Sequence, residues 1–393
     1  AQIVGFVGFT YIARALGPND YGTYLTVGAF VGMFDVLLLG GLNKAIIREG
    51  SQDIPSMHRS LEHTIAIRNV LSLLAIVTCI VSSFLAPYEF QTKLYIVLFS
   101  TQLAYTGLRG FLQTIYQATE RMRCIAVLDV MNRTLSVGLS ILFLHHGFGL
   151  LTLFLIILAS DLLTILLTYR YSRNLVPFRF FSSVQLHTRL LKPAVVFSLL
   201  GFMAFFASKV DLLMISFLGA PEQVGTYGVA YKIAQQGEML RNVCAVAFFP
   251  ILVKRFHQNS INSARLIKYS LYFFLGIFLL STAGSLAVPI TIRTLFGSDY
   301  TESGTILRVL LFYLAFAWAT LPFTSTLQAT HNERYLIVPA LGLGGLNVAL
   351  NYALFTHYGL IGIAYSTLVV QSVGCALYCI IAYSVLRKQQ YIV

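Results

Sequence analysis

Apolar runs of roughly twenty residues, the length that crosses a bilayer as a helix, recur from one end of this chain to the other. Short polar or turn-rich breaks separate them. Marking the breaks gives twelve spans, near residues 1–16, 21–42, 64–86, 92–118, 124–144, 148–172, 190–218, 225–252, 265–292, 303–328, 335–355 and 359–386. A soluble domain carries about a quarter charged residues, whereas this chain is 57% hydrophobic and 11% charged, with a mean hydropathy of +0.76. The expectation is an all-α integral membrane protein.

The opening "AQIVGFVGFTYIARALG" gives only about 15 apolar residues before Gly17-Pro18, short of a full span. It has no basic n-region and no A-x-A site, so it does not read as a signal peptide. The chain as given is expected to begin inside its first transmembrane helix. Cys79, Cys124, Cys244, Cys375 and Cys379 fall in or beside apolar runs. Cys375 and Cys379 share a helix face, but no His or acid lies near them at metal-ligand spacing. They read as membrane-core cysteines, and neither a metal nor a cofactor is expected.

A net charge of +12 invites a nucleic-acid reading until the basic residues are placed. Eighteen of the 27, Arg68 among them, fall in the even-numbered connections and the C-terminus; Arg14, Lys93 and Arg293 fall in the odd-numbered ones. Basic residues are retained on the cytoplasmic side, so both termini are expected there. The charge is then a topological signal, with some attraction to anionic headgroups. External connections such as "GPNDYG", "HHGFG" and "THYG" are short. The internal stretch "FRFFSSVQLHTRLL" (178–191) mixes aromatic and basic residues as an interfacial segment does. None is long enough for a soluble catalytic domain, so an enzyme is not expected.

The chain also repeats itself. "LGPNDYGTYLTV" (16–27) matches "LGAPEQVGTYGVAYK" (218–232), "IYQATERMRCIAV" (115–127) matches "TLQATHNERYLIV" (326–338), and "HHGFGLL" (145–151) matches "THYGLIGI" (356–363). Three matches in order, at offsets of about 203, 211 and 212 residues, indicate duplication. The expected architecture is twelve transmembrane helices in two six-helix bundles. An even number of spans makes the bundles parallel repeats, related by a pseudo-two-fold axis along the membrane normal. The expected division is an N-terminal bundle at 1–175, a cytoplasmic basic linker at 176–192 and a C-terminal bundle at 193–393. Such a frame suits alternating access around a midplane cavity, which makes a transporter the leading class.

Eleven ionisable residues fall within the spans: Asp35, Arg109, Asp129, Arg133, Asp161, Lys209, Asp211, Lys232, Glu238, Arg241 and Arg308. At a helix centre each costs roughly 2.5–3.5 kcal/mol, so they are expected to pair or to line a hydrated cavity. Asp129 and Arg133 are i,i+4 and can pair on one face; Glu238 and Arg241 are i,i+3 and can do the same. Arg308 is close enough to its helix end to snorkel. Lys209 and Asp211, at i,i+2, point apart, so each needs another helix or water. The second half carries the excess of cations, which suits an anionic headgroup. The cavity candidates are Arg109, Lys209, Lys232 and Arg241. Pro322, Pro339, "LGLGGLN" (341–347) and "GAFVG" (28–32) allow either close helix packing or a gating hinge.

The stretch "YIARALGPNDYGTY", its following apolar run and "GGLNKAIIREG", together with "SKVDLLMISFLGAPEQVGTYGVAYKIAQQ", resemble the Wzx-type polysaccharide-biosynthesis flippases of the multidrug/oligosaccharidyl-lipid/polysaccharide (MOP) superfamily. The resemblance covers nearly the whole chain. It implies translocation of undecaprenyl-diphosphate-linked oligosaccharide through a cationic lumen, for O-antigen, capsule or exopolysaccharide assembly. Polysaccharide polymerase and chain-length machinery are the implied partners, with membrane lipids around. It carries the lumen role to the stretch around Lys209 and Asp211, and leaves Asp35, Asp161 and Glu238 as candidate proton carriers, with Asp211 as an interhelical acid. The alternatives are a cation-coupled multidrug antiporter of the same superfamily, which would want acids rather than cations in its cavity, and a membrane enzyme acting on polyprenyl-linked sugars.

Overall fold

The computed structural model of the chain describes residues 2–38, 42–43, 47, 54–172, 188–257, 263–330, 332 and 334–390. The expected interfacial stretch 178–191 lies largely outside them. Twelve α-helices and two 3₁₀ turns make up the described structure, with no strand among the described residues. The helices are α1 (Gln2–Met33), α2 (Ile54–Leu85), α3 (Phe90–Phe99), α4 (Gln102–Ala118), α5 (Met122–His145) and α6 (Leu150–Ser172). They continue with α7 (Thr188–Leu218), α8 (Pro221–His257), α9 (Ser263–Phe296), α10 (Thr301–Ala329), α11 (Arg334–Tyr358) and α12 (Leu360–Gln390). The 3₁₀ turns are Phe34–Leu38 and Ser298–Tyr300. Eight stretches among the described residues are long and apolar enough to cross a membrane, the first of them, Ile3–Leu38, covering two of the expected spans.

Two expected spans share α1 because the chain breaks inside it rather than leaving the helix. Gly17 sits at φ 74°, ψ 171°, a conformation open to glycine, and Pro18 restarts the helix with its ring at the first position. In the duplicated turn the helix ends instead: Gly219 and Ala220 separate α7 from Pro221 at the start of α8, and Gly219 does not take the positive φ of Gly17. There the Ala220 N–H donates to Gln223 Oε1 at 3.0 Å, half of a capping box.

The span expected at 92–118 is α3 and α4, parted at Ser100-Thr101. Both residues keep right-handed helical angles. Their hydroxyls donate to the carbonyls of Val97 (2.7 Å) and Leu98 (2.8 Å), local bonds of the kind that disturb a helix.

The repeat is visible atom by atom. The Thr119 hydroxyl donates to Ile115 O at 2.8 Å, and the Thr330 hydroxyl to Thr326 O at 3.0 Å. Two residues past each, Arg121 N–H reaches Tyr116 O and Asn332 N–H reaches Leu327 O, both at 2.8 Å. Gly147 (φ 83°) and Gly359 (φ 63°) end α5 and α11 in the left-handed region that a helix C-terminus uses. The second and third sequence matches therefore mark corresponding turns in both halves.

The chain forms two compact units, Ala1–Val224 and Gly225–Val393. In the first, α1 packs on α5 and α7, and α4 packs on α2 and α6. Gly8 permits the first of these contacts, since a Cβ there would stand 2.6 Å from Val137. Gly32 seats the ring of Phe205 on α7, 3.0 Å from where a Cβ would be, so "GAFVG" serves packing at this end. Tyr88 fastens α7 further along, stacked on Phe217 (5.5 Å between centroids) and bonded to Ser216 Oγ at 2.9 Å.

In the second unit α10 packs on α9 and α12, and α12 on α11. The sides exchange roles as a bilayer demands. Leu279, Leu280, Leu286 and Ile290 of α9 are exposed. Ser270 and Ser281 are buried, donating to Ala319 O and Leu311 O of α10 at 2.8 and 2.6 Å. Pro322 and Pro339 lie inside helices that run through them.

Candidate functional site

The first unit gathers a polar cluster from three helices. Along α4, Gln102, Thr106, Arg109 and Gln113 recur at steps of 4, 3 and 4 and so share one face. Asp129 and Asn132 of α5 stand against it, and Asp161 of α6 completes it.

Arg109 is the hub. Its Nη2 donates to Asp129 Oδ1 at 2.6 Å, and its Nη1 to Asp161 Oδ1 at 3.4 Å. The amides fill the remaining acceptor sites. Gln102 Nε2 donates to Asp161 Oδ2 at 2.6 Å, Asn132 Nδ2 to Asp161 Oδ1 at 2.6 Å, and Gln113 Nε2 to Asp129 Oδ1 at 3.2 Å.

The two acids differ in setting. Asp161 has a side chain 10% exposed and takes three donors on its two oxygens; Asp129 is 42% exposed and accepts on Oδ1 alone. One guanidinium between two carboxylates leaves one net negative charge.

A cavity of about 200 Å³ opens beside the cluster. Gln102, Arg109, Gln113 and Asp161 line it together with Tyr105, Thr106, Gly110 and Ile165. Gln102 Oε1 is buried without a hydrogen-bond partner.

These positions revise two sequence expectations. Asp129 is held by Arg109 from the neighbouring helix, and no ion pair joins it to Arg133 among the described residues. Arg133 instead lies against Gly5 of α1, its Nη2 2.7 Å from where a Cβ would stand. Arg68, counted with the cytoplasmic connections, is 2% exposed within α2. It donates to Gly107 O at 2.7 Å and Asn43 Oδ1 at 2.8 Å, beside Gly107 and Gly110. Gln102, Gln113 and Asn132 did not enter the sequence candidates; the polar stripe on α4 is the signal that marks the first two.

Of the eight candidates, the structure brings together Arg109 and Asp161. Asp35 is exposed in the 3₁₀ turn after α1. On α7, Asp211 is buried (8% exposed). Half-buried Lys209, one turn beyond Phe205, has no hydrogen bond or ion pair among the described residues. The other three lie on α8. Lys232 donates to Gln235 Oε1 at 3.1 Å, Arg241 donates to Ala317 O of α10 (3.3 Å) and Asn242 Oδ1 (3.2 Å), and Glu238 is half-buried.

A family model described as "Polysaccharide biosynthesis protein" matches residues 1–256. Comparison with curated proteins gives no match. Among solved structures, the chain is similar to an inward-facing multidrug resistance MATE-family transporter of the MOP superfamily, at 16% identity over 99% of this chain and 96% of that one, TM-score 0.76. It is also similar to the lipid II flippase MurJ in an inward closed conformation, at 16% identity over 96% and 86%, TM-score 0.75. A MOP superfamily transporter from Pyrococcus furiosus, described as having a binding pocket of reverse polarity, matches at 15% identity over 99% and 91%, TM-score 0.62. At such identities the likeness is one of fold.

Proposed function

The chain belongs to the polysaccharide biosynthesis protein family, and on that premise we propose that it is a flippase. It moves undecaprenyl-diphosphate-linked oligosaccharide units from the cytoplasmic to the periplasmic leaflet by alternating access, for O-antigen, capsule or exopolysaccharide assembly. The observation that carries this reading is the family match, and a fold shared with a lipid II flippase supports it.

The physical task is to pass a charged, hydroxyl-rich headgroup through hydrocarbon, where every unmatched polar group costs several kcal/mol. Intramembrane polar side chains lower that cost. In this reading Lys209, Lys232 and Arg241 meet the diphosphate, with Lys209 the least committed to partners within the protein. Asp35, Asp161, Asp211 and Glu238 are the acids available for coupling or for holding helices together. Arg109 acts within its carboxylate cluster rather than as a free cation. The working halves are 1–175 and 193–393, joined by the basic stretch 176–192. The distribution of Lys and Arg supports an inner-membrane location with both termini cytoplasmic. Polysaccharide polymerase and chain-length machinery would act on what it delivers. The reading is transport rather than catalysis.

Deleting the gene tests it: surface polysaccharide should be lost and lipid-linked repeat units should accumulate on the inner leaflet. Unchanged surface polysaccharide would refute the assignment. The net negative cluster around Arg109 and the likeness to MATE-family transporters favour the second reading, a cation-coupled multidrug antiporter. Drug hypersensitivity with intact polysaccharide would establish that one instead.

A further inference from the structure

The cavity beside Arg109 has spare hydrogen-bonding capacity of one particular kind. Its single cation is already taken. Arg109 bonds two carboxylates, and the cluster is net negative, so a phosphate entering it would meet repulsion. Its hydroxyls are uncommitted: among the described residues neither the Tyr105 Oη nor the Thr106 Oγ1 makes a hydrogen bond. It also holds a spare acceptor, since Gln102 Oε1 has no partner among the described residues. The buried Gln102 Oε1 left this way costs about 1–3 kcal/mol. A ligand that donates to it relieves that cost. What the cavity lacks is a neutral group that donates and accepts at several points. The cavity, about 200 Å³ in volume, is large enough to admit a sugar ring.

We propose that this cavity, between α4 and α6, binds a single uncharged sugar ring. This deepens the flippase reading and rests on it for the source of the ring, the lipid-linked oligosaccharide. One protein would then recognise its headgroup in two places of opposite character. Cations such as Lys209 would take the diphosphate, and this pocket, neutral to negative and rich in amides and hydroxyls, would take a ring of the glycan. Repeat-unit selectivity would reside in Gln102 and Tyr105, with Thr106 exposed on the wall beside them, while Asp129 and Asp161 hold the walls in place through Arg109.

The test uses the full chain purified in detergent and carrying Thr106→Cys, whose exposed position on the cavity wall makes it a reporter for a small thiol reagent. The native cysteines are replaced in the background. The probes are methyl glycosides of glucose, galactose, N-acetylglucosamine and rhamnose, with inorganic pyrophosphate and tetraethylammonium alongside. At least one glycoside should slow labelling by roughly threefold when present at twice its Kd. Tyr105→Phe, which removes only a hydroxyl, should weaken that protection without changing the melting temperature, and Gln102→Leu should abolish it. If no glycoside protects, or if pyrophosphate or tetraethylammonium protects in their place, the proposal is overturned. Failure here is distinct from failure of the flippase reading. Absent protection with surface polysaccharide lost on deletion sinks the sugar site alone. Protection with surface polysaccharide intact sinks the flippase and leaves a sugar site without that substrate.

Discussion

Arg109 Nη2 lies 2.6 Å from Asp129 Oδ1, twenty residues on and one helix away. The same guanidinium reaches Asp161 at 3.4 Å, so one base serves two acids in largely apolar surroundings. Losing it strands two carboxylates. Arg109→Leu is expected to cost about 3 kcal/mol, the lower end for a broken buried pair because the site is partly exposed. The protein in detergent should melt markedly earlier. Arg109→Leu combined with Asp129→Asn and Asp161→Asn removes the stranded charges and should regain most of the loss. A triple variant no more stable than the single one would show that the cluster does not act through charge.

The two acids should respond unequally to the same change. Asp161→Asn removes the charge and leaves a single acceptor oxygen where Gln102, Asn132 and Arg109 all donate, in a site 10% exposed. A loss of about 2–3 kcal/mol is expected from bonds to a charged acceptor. Asp129, 42% exposed, has water as an alternative, and Asp129→Asn should cost no more than about 1 kcal/mol. Paired thermal melts decide it; equal losses would contradict the difference in burial.

The fold was legible in the sequence because its strongest signals are local. A span of twenty apolar residues, or a glycine that ends a helix, needs no knowledge of its neighbours, and Gly147 and Gly359, matched in the repeat, both adopt the left-handed conformation. The site was legible only in part, because its partners come from different helices. The i,i+4 spacing of Asp129 and Arg133 pointed to a pair within one helix. Arg109 instead approaches across the α4–α5 contact, a relation that spacing along α5 cannot express. Arg68 misled for the same reason: near a basic loop it counts as a topological charge, and only packing against Gly107 makes it interior. Gln102, Gln113 and Asn132 were passed over because uncharged amides do not register in a survey of ionisable groups. They nevertheless supply three of the five hydrogen bonds to Asp129 and Asp161 among the described residues.

Arg68 carries its own prediction. Its guanidinium spans two acceptors, Gly107 O on α4 and Asn43 Oδ1, and a lysine presents a single point of charge that cannot reproduce that fork. Arg68→Lys is expected to cost about 1.5–3 kcal/mol, the loss of one charge-assisted bond. Gly107→Ala attacks the same contact from the other side, since its Cβ would stand 2.9 Å from Ser72 Oγ. Both variants should lower the melting temperature. If Arg68→Lys melts like the parent, the arginine is not holding α2 to α4.

Lys209 and Asp211 should separate function from stability although they are two residues apart. Asp211 is buried at 8% exposure, and Asp211→Ala is expected to lower the yield of folded protein. Lys209 is half-buried and makes no hydrogen bond or ion pair among the described residues, so Lys209→Ala should fold and melt like the parent. If its ammonium meets the diphosphate, losing that charge-assisted bond at about 1.5–3 kcal/mol weakens headgroup binding roughly 10- to 100-fold. Complementation of the deletion strain reads the consequence as reduced surface polysaccharide. Lys209→Cys reads accessibility directly, because a residue on a hydrated path should react with a membrane-impermeant thiol reagent from one side. Full complementation by Lys209→Ala, with no labelling at 209, would leave the diphosphate to Lys232 and Arg241 on α8.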